Sequence, residues 1–356
     1  MAKTKVGVVG TGWRAGFFVK IMQTLSDSFE ISSVVYRSSQ GRERAASWAV
    51  PLTDSHDALL DKGPDFVLLC SDKENMEGLM KFYTGKNMPL LVETFRAENI
   101  EQLRRIHGEF GGAKIQSAEQ YHLQPLNAAK IALAHSGLLG NVYQVQTSIP
   151  NGYHATAVIR KIMSTGRRCP DSIRAFSYKH KMVGGPGRQG DPVEKKLVEA
   201  NQVLFQFDWG DRQALNDVED NQHRSLFRSQ HWLIRGDHGE VRAEDVCYIK
   251  DLLTPCTFTL ERVTGGAGPN LEGLYLRGVR GGDHGWYYKN PFMPARLFDD
   301  EIASASTLAN MASFVKGGES LYGLEESIMD QYMAMLIETA QREEKPIKVK
   351  AEAWTE

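Results

Sequence analysis

Short apolar runs separated by helix-length stretches fill the first 118 or so residues. Val6-Gly7-Val8-Val9 leads into the apolar helical stretch Phe17–Met22, and Ile31–Tyr36 into a helical segment from Gly41 to Ala49. Asp65–Cys70, Met88–Val92 and Lys114–Ala118 complete the set. Continuous runs this short, bounded by turn residues, are strands covered on both faces, and their alternation with helices predicts a doubly wound parallel sheet. Such sheets bind ligands beyond the carboxyl ends of their strands, so the residues that follow each strand carry the interest.

Past residue 118 the period changes. A helix from Pro125 to His135 leads to Val142–Thr147, which alternates with period two. Alternating runs recur at Gln202–Phe207, His231–Arg235, Thr257–Glu261 and Gly273–Arg277. They predict a large open antiparallel sheet with one face covered, in an α+β domain. Residues 184–192, rich in glycine and proline, read as a flexible loop and a candidate lid. A last helix spans Glu325–Gln341, with an apolar stripe through Ile328, Tyr332, Met335 and Ile337. The expected organisation is a Rossmann domain over 1–120 and a substrate and oligomerisation domain over 121–356.

The bulk numbers fit this picture. A chain of 356 residues suits two domains, each with its own core. A net charge of −2 lacks the concentrated basic face that nucleic acid or an anionic membrane requires, so neither is expected as a partner. No apolar run approaches the roughly 20 residues that span a bilayer. The first strand begins within a few residues of the start, so no signal peptide is expected. Cys70, Cys169, Cys247 and Cys256 are far apart and form no Cys-x-x-Cys pair, which predicts neither a disulfide framework nor a thiolate zinc site. The expected location is cytoplasmic.

The sharpest chemical signal is Gly10-Thr11-Gly12-Trp13-Arg14-Ala15, set between the first strand and the first helix. Gly10 makes the tight turn, Gly12 lets a pyrophosphate approach the backbone, and Ala15 lets the helix pack close to the sheet. The helix N-terminus adds free N–H groups and a partial positive charge. This is a dinucleotide site. An NAD site places Asp or Glu at the end of the second strand, to bind the ribose 2′-hydroxyl. Here that end reads Tyr36-Arg37-Ser38-Ser39, and Glu30 lies at the wrong end of the strand. Arg37 and the Ser38 hydroxyl suit a 2′-phosphate, with Arg42 and Arg44 nearby. NADP is therefore expected ahead of NAD, against the blander reading of Arg37 as a solvated residue.

On these features the sequence resembles the Gfo/Idh/MocA oxidoreductases over nearly its whole length. The resemblance rests on the glycine turn, on Val67-Leu68-Leu69-Cys70-Ser71-Asp72, and on Gly85-Lys86-Asn87-Met88-Pro89-Leu90-Leu91-Val92-Glu93. It implies hydride transfer to or from a sugar or polyol, and a homodimer or homotetramer packed through the open sheet. It also implies that Cys70, Ser71, Asp72, Asn75, Glu93 and Thr94 lie along the cofactor. Two departures stand out. The family's Glu-Lys-Pro is Glu93-Thr94-Phe95 here, and Thr94 can neither carry the lysine's charge nor act as a base near neutral pH. The family's Asp-x-Gly-x-His falls at Pro150-Asn151-Gly152-Tyr153-His154, which keeps the histidine and lacks the aspartate.

Proton transfer then falls to other groups. His154 is the first candidate, since imidazole titrates near neutral pH. Tyr121 or His122, just past the last strand of the first domain, is the second; packing is the plain alternative for each. Arg160 and Lys161 offer charge for an anionic substrate group, against the reading of solvent-facing helix residues. His180, Lys181 and Arg188 offer the same around the glycine loop. Asp217, Glu219, Asp220 and His223 lack ligand-type spacing, read as polar surface, and predict no metal site. The leading expectation is an NADP(H)-dependent oxidoreductase of a sugar or polyol. Its rivals are a glycoside-cleaving enzyme that oxidises its substrate transiently, a catalytically silent NADP(H)-binding regulator, and a structural subunit of a larger enzyme.

Overall fold

The computed structural model describes residues 2–94, 97–187, 190–220, 222–266 and 273–356, and only the backbone of Lys73. Phe95 and Arg188, both singled out above, lie outside the described residues.

The first elements are β1 (Thr4–Val9), α1 (Trp13–Thr24), β2 (Phe29–Val35), α2 (Ser39–Ala46), β3 (Leu52–Thr53) and α3 (His56–Leu60). They continue with β4 (Phe66–Leu69), α4 (Lys73–Thr84), β5 (Leu90–Val92), α5 (Ile100–Phe110) and β6 (Ile115–Ser117). A 3-10 turn at Tyr121–Leu123 precedes α6 (Pro125–His135), β7 (Val142–Thr147) and α7 (Gly152–Met163). Next come β8 (Ser172–Val183), β9 (Leu197–Asp208), β10 (Gln213–Glu219), β11 (Trp232–Gly236), β12 (Gly239–Arg242) and β13 (Asp245–Ile249). The chain closes with β14 (Pro255–Gly265), β15 (Tyr275–Gly281), β16 (Trp286–Lys289), α8 (Asp299–Phe314), α9 (Leu324–Glu343) and β17 (Ile347–Lys348).

Among the described residues the strands form two sheets. The first has the order β3-β2-β1-β4-β5-β6 with every pair parallel. Phe66, Val67, Leu68 and Leu69 are all fully buried, as a central parallel strand requires. The order reverses between β1 and β4, which opens a crevice at their carboxyl ends. The periodicity reading passed over β3 and α3, which at two and five residues are too short to show a period.

The second sheet runs β16-β15-β14-β13-β12-β11-β7-β10-β9-β8-β17. It is mixed rather than purely antiparallel, because β10 pairs with β7 in parallel while the other pairs of described register are antiparallel. The reason is the crossover: α7 carries the chain past β7, and β8 and β9 then return β10 beside it. Val145, Phe205, Phe207, Ala214 and Ile234 are buried, whereas Phe176 and Tyr178 on β8 are exposed. That contrast is the one-sided burial that alternation predicts. No described helix is long and apolar enough to cross a membrane.

The chain divides into two compact units. One comprises Met1–Pro125, Arg262–Gly278 and Lys289–Ile328; the other comprises Leu126–Glu261, Val279–Tyr288 and Met329–Glu356. In the second unit, nearly all of α7 is buried, so a polar network must hold its entry. Asn216 of β10, itself buried, accepts from the Thr147 hydroxyl at 2.8 Å and from the Ile149 N–H at 2.9 Å, and donates to the Ile149 carbonyl at 3.2 Å. Gln222 donates to the Ser148 hydroxyl at 2.6 Å, and Ser148 donates to the Asp217 carbonyl at 2.6 Å. These bonds rivet the β7–α7 connection to β10. Replacing Asn216 by alanine strands a buried N–H and C=O, so Asn216→Ala is expected to lower the unfolding free energy by about 2–4 kcal/mol. Urea denaturation followed by tryptophan fluorescence measures this directly.

Candidate functional site

The turn between β1 and α1 is built against the end of β4. Gly10 adopts φ +114°, and a Cβ there would lie 2.3 Å from the Cys70 carbonyl oxygen, so only glycine fits. Its N–H donates to the Val35 carbonyl at 3.0 Å. A Cβ on Gly12 would meet nothing within 4 Å, which leaves room beside the first turn of α1. That turn carries no acidic residue to oppose an anion.

This turn forms one wall of a cleft of about 740 Å³, within the 300–1,000 Å³ range of ligand pockets. Gly10, Thr11 and Gly12 line it, with Tyr36, Arg37, Ser38, Gly41 and Arg44 from the end of β2 and from α2. Cys70, Ser71, Asp72 and Asn75 line the side beyond β4, and Asp54 and His56 the side beyond β3. The structure thus brings nine expected residues together (Gly10, Thr11, Gly12, Arg37, Ser38, Cys70, Ser71, Asp72 and Asn75), while Trp13, Arg14, Glu93 and Thr94 are not among the lining residues. Asp54 and His56 were not anticipated. Their only signal is the turn-forming Asp54-Ser55 pair after a strand too short to recognise.

Ser38 caps α2 by accepting from the Gly41 N–H at 3.1 Å, which leaves its own hydroxyl hydrogen to donate elsewhere. Arg37 is largely exposed and pairs with Asp72 at 3.3 Å across the mouth of the cleft. The Asn75 amide, bonded to the Asp72 carboxylate, and then Arg37 hold that carboxyl below the usual range. Arg44 donates to the Thr11 carbonyl at 3.1 Å, and Arg42 lies over the Tyr36 ring at 5.9 Å.

Arg14 sits differently. Its Nε donates to Glu93 at 2.8 Å, an Nη lies 3.5 Å from Asp300, and the guanidinium lies 4.9 Å from the ring centres of both Phe17 and Phe18. Burial opposes the Arg14 charge, and Glu93 and Asp300 more than offset it. Burial, with Glu93 adding to it, pushes the Cys70 thiol well up, so Cys70 is a neutral thiol rather than a nucleophile. Trp13 is exposed and stacks on Phe17 at 5.4 Å. The Thr94 hydroxyl oxygen is buried with no hydrogen-bond partner among the described residues.

The proton-transfer candidates occupy both units. Tyr121 and His122 lie on the 3-10 turn of the first unit, where His122 is buried with its ring 5.1 Å from Tyr322. His154 lies in the second unit on the first turn of α7, buried, with its ring 4.2 Å from Tyr153. Asn151 enters this helix with φ +62°, unusual for a non-glycine residue. Arg160 is not solvent-facing. It is buried, pairs with Asp330 of α9 at 2.7 Å and donates to the Gly166 carbonyl at 2.6 Å. The Asp217–His223 segment is likewise more than polar surface: Glu219 is buried and accepts from His180 and from Arg228, the latter at 2.6 Å. Among the described residues no group of three or more His, Cys, Asp or Glu is placed to hold a metal ion.

No protein-family model and no curated protein matches the sequence. Solved structures do match in fold. An oxidoreductase from Agrobacterium radiobacter, in complex with NAD+, L-tartaric acid and magnesium, is 15% identical with a TM-score of 0.66, covering 98% of each chain. A myo-inositol dehydrogenase from Corynebacterium glutamicum is 13% identical at a TM-score of 0.67, covering 99% of this chain and 100% of its own. A levoglucosan dehydrogenase in complex with NADH and L-sorbose is 12% identical at a TM-score of 0.71, with the same coverage. The two-domain fold is shared with these proteins.

The Arg14–Glu93 pair, which does not itself line the cleft, tests how the first turn of α1 is held to the residue after β5. Arg14→Leu leaves Glu93 with an uncompensated, mostly buried charge and is expected to cost about 2–4 kcal/mol. The change in the urea midpoint reports it.

Proposed function

We propose that this chain is an NADP(H)-dependent oxidoreductase that transfers hydride at a carbinol or carbonyl carbon of a sugar or polyol. One observation carries the reading: the cleft at the β1–β4 switch point pairs the glycine turn with Arg37, Ser38 and Arg44 at and after the end of β2, where the chain itself carries no acidic residue from Tyr36 to Ser39. The residues present fit a dinucleotide, since Gly10 admits no Cβ and Gly12 leaves space where phosphates approach. NADP(H) would supply the hydride donor or acceptor.

The chain's own residues do the rest. The Gly12 backbone and the first N–H groups of α1 hold the pyrophosphate, beside Thr11 and Trp13. Arg37 exchanges its exposed partner Asp72 for the 2′-phosphate, and the Ser38 hydroxyl hydrogen donates to the same group. Cys70, Ser71 and Asp72, with Asn75, line the ribose side. Glu93, fixed by Arg14, and Thr94 shape the wall beyond β5. His154 takes or returns the proton of the reacting hydroxyl, with Tyr121 or His122 as the second proton-transfer group. The inositol and levoglucosan dehydrogenases of like fold support the substrate class. Their names record NADH in one case, and NAD+ appears with the Agrobacterium protein; Arg37 is the reason to assign NADP here. The exposed rings on β8 support a homodimer or homotetramer packed through the open sheet.

A second reading has one observation in its favour. Thr94 stands where the resemblance expects a lysine, and a hydroxyl cannot replace that charge; this favours an NADP(H)-binding regulator without turnover, or an enzyme that cleaves glycosides with no net redox change.

Nucleotide titration and turnover separate these readings. NADPH is expected to bind at least about tenfold tighter than NADH, and Arg37→Ala to erase that margin while leaving NADH binding unchanged, as the loss of one charge-assisted bond implies. Equal affinity for the two nucleotides in the unaltered protein would sink the NADP assignment. His154→Ala is expected to slow polyol oxidation by about 100-fold or more with nucleotide affinity intact. Tight NADPH binding with no redox signal on any polyol would favour the second reading, and a glycoside-cleavage assay then distinguishes its two forms.

A further inference from the structure

Asp54 and His56 stand two residues apart on the cleft wall beyond β3, a part of the site to which the reading above gives no task. Strand order arranges the cleft's chemistry from one side to the other. The turn after β1 meets the phosphates and the end of β2 meets the ribose. The end of β3, next outward, is left to meet the base.

His56 offers a fixed donor. Its Nδ1 lies 2.7 Å from the hydroxyl of Tyr83, a residue wholly buried on α4. Burial pushes the Tyr83 phenol up, so it keeps its hydrogen, and a buried O–H requires an acceptor. Among the described residues His56 Nδ1 is the acceptor within reach, so Tyr83 donates and the ring hydrogen of the neutral imidazole sits on Nε2. Burial also holds His56 below the usual imidazole range, in accord with a ring that cannot take a second proton facing the phenol. Phe82 and Tyr83, with ring centres at 5.5 and 5.6 Å, fix its plane. Asp54, exposed, offers only acceptors. One donor and one acceptor therefore line the same side of the cleft.

We infer that Asp54 and His56 read the base of the dinucleotide as adenine, the Asp54 carboxylate accepting from the 6-amino group and His56 Nε2–H donating to a neighbouring ring nitrogen. Tyr83 is a positioning residue that sets the His56 tautomer. The inference rests on the dinucleotide reading of the cleft and adds a selectivity to it. A 6-oxo purine reverses the pattern, because its carbonyl oxygen would face the carboxylate acceptor to acceptor.

The test compares NADPH with its analogue in which hypoxanthine replaces adenine, each titrated into the full chain and followed by nicotinamide fluorescence. The unaltered protein is expected to bind the analogue about tenfold more weakly, the effect of one misfaced polar contact. Asp54→Asn, whose amide can donate to a 6-oxo group, is expected to bring the two within about threefold. Tyr83→Phe, which releases the His56 tautomer, is expected to narrow the ratio as well, and a stability change alone would not do so. Equal binding of the two nucleotides by the unaltered protein overturns the inference and leaves the dinucleotide reading standing. So does a ratio that Asp54→Asn leaves unchanged. Binding of neither nucleotide overturns both.

Discussion

The cleft depends on one steric constraint, the packing of the Gly10 backbone against the Cys70 carbonyl. β1 and β4 are adjacent parallel strands, so the chain leaving β1 must turn within the width of one strand and clear the end of the next. At φ +114°, and with a hypothetical Cβ only 2.3 Å from the Cys70 carbonyl oxygen, only the glycine backbone makes that turn. The turn sets where α1 begins, and with it where the free N–H groups point. It also sets how closely α2 approaches: a Cβ on Gly41 would lie 2.6 Å from the Thr11 hydroxyl oxygen. The shape of the cleft between β1, β2 and β4 follows from this one crossing.

Two ion pairs flank the cleft, and their surroundings separate their roles. Arg37–Asp72 is largely exposed at 3.3 Å, the kind of contact worth about 0–1 kcal/mol, so breaking it costs little. Arg14–Glu93 is shorter, at 2.8 Å, and its side chains are only 14% and 23% exposed. Breaking a pair of that kind strands a charge away from water. Arg14 is therefore a structural charge behind the cleft lining, although it stands inside the glycine motif, whereas Arg37 lines the cleft in an exposed pair.

The same logic reassigns charges elsewhere. Arg160 is spent on Asp330 inside the second unit, and Glu219 gathers His180 and Arg228 at the end of β10. Asn216 and Gln222 hold the connection that enters α7, and His154 follows on the first turn of that helix. A mostly buried helix carrying a candidate proton-transfer residue needs an entry fixed by hydrogen bonds, because the chain there cannot turn to water for them.

Much of the first sheet was legible because its signals are local. β1, β4 and β5 carry apolar runs, and Gly10, Gly12 and Ala15 mark the turn by missing or small side chains within six residues. α6 and β7 begin and end where periodicity placed them, at Pro125–His135 and Val142–Thr147. Periodicity reports only which side of an element meets the core. It cannot pair β10 with β7, find a two-residue β3, or show that Arg160 points inward at a carboxylate 170 residues away. Nor can it bring Tyr83 to His56. The sequence by itself determined the fold class and the phosphate turn, since these follow from apolar runs and missing side chains. Only the tertiary structure decided which cations are committed and which donors face the cleft, because those depend on partners that chain closure brings together.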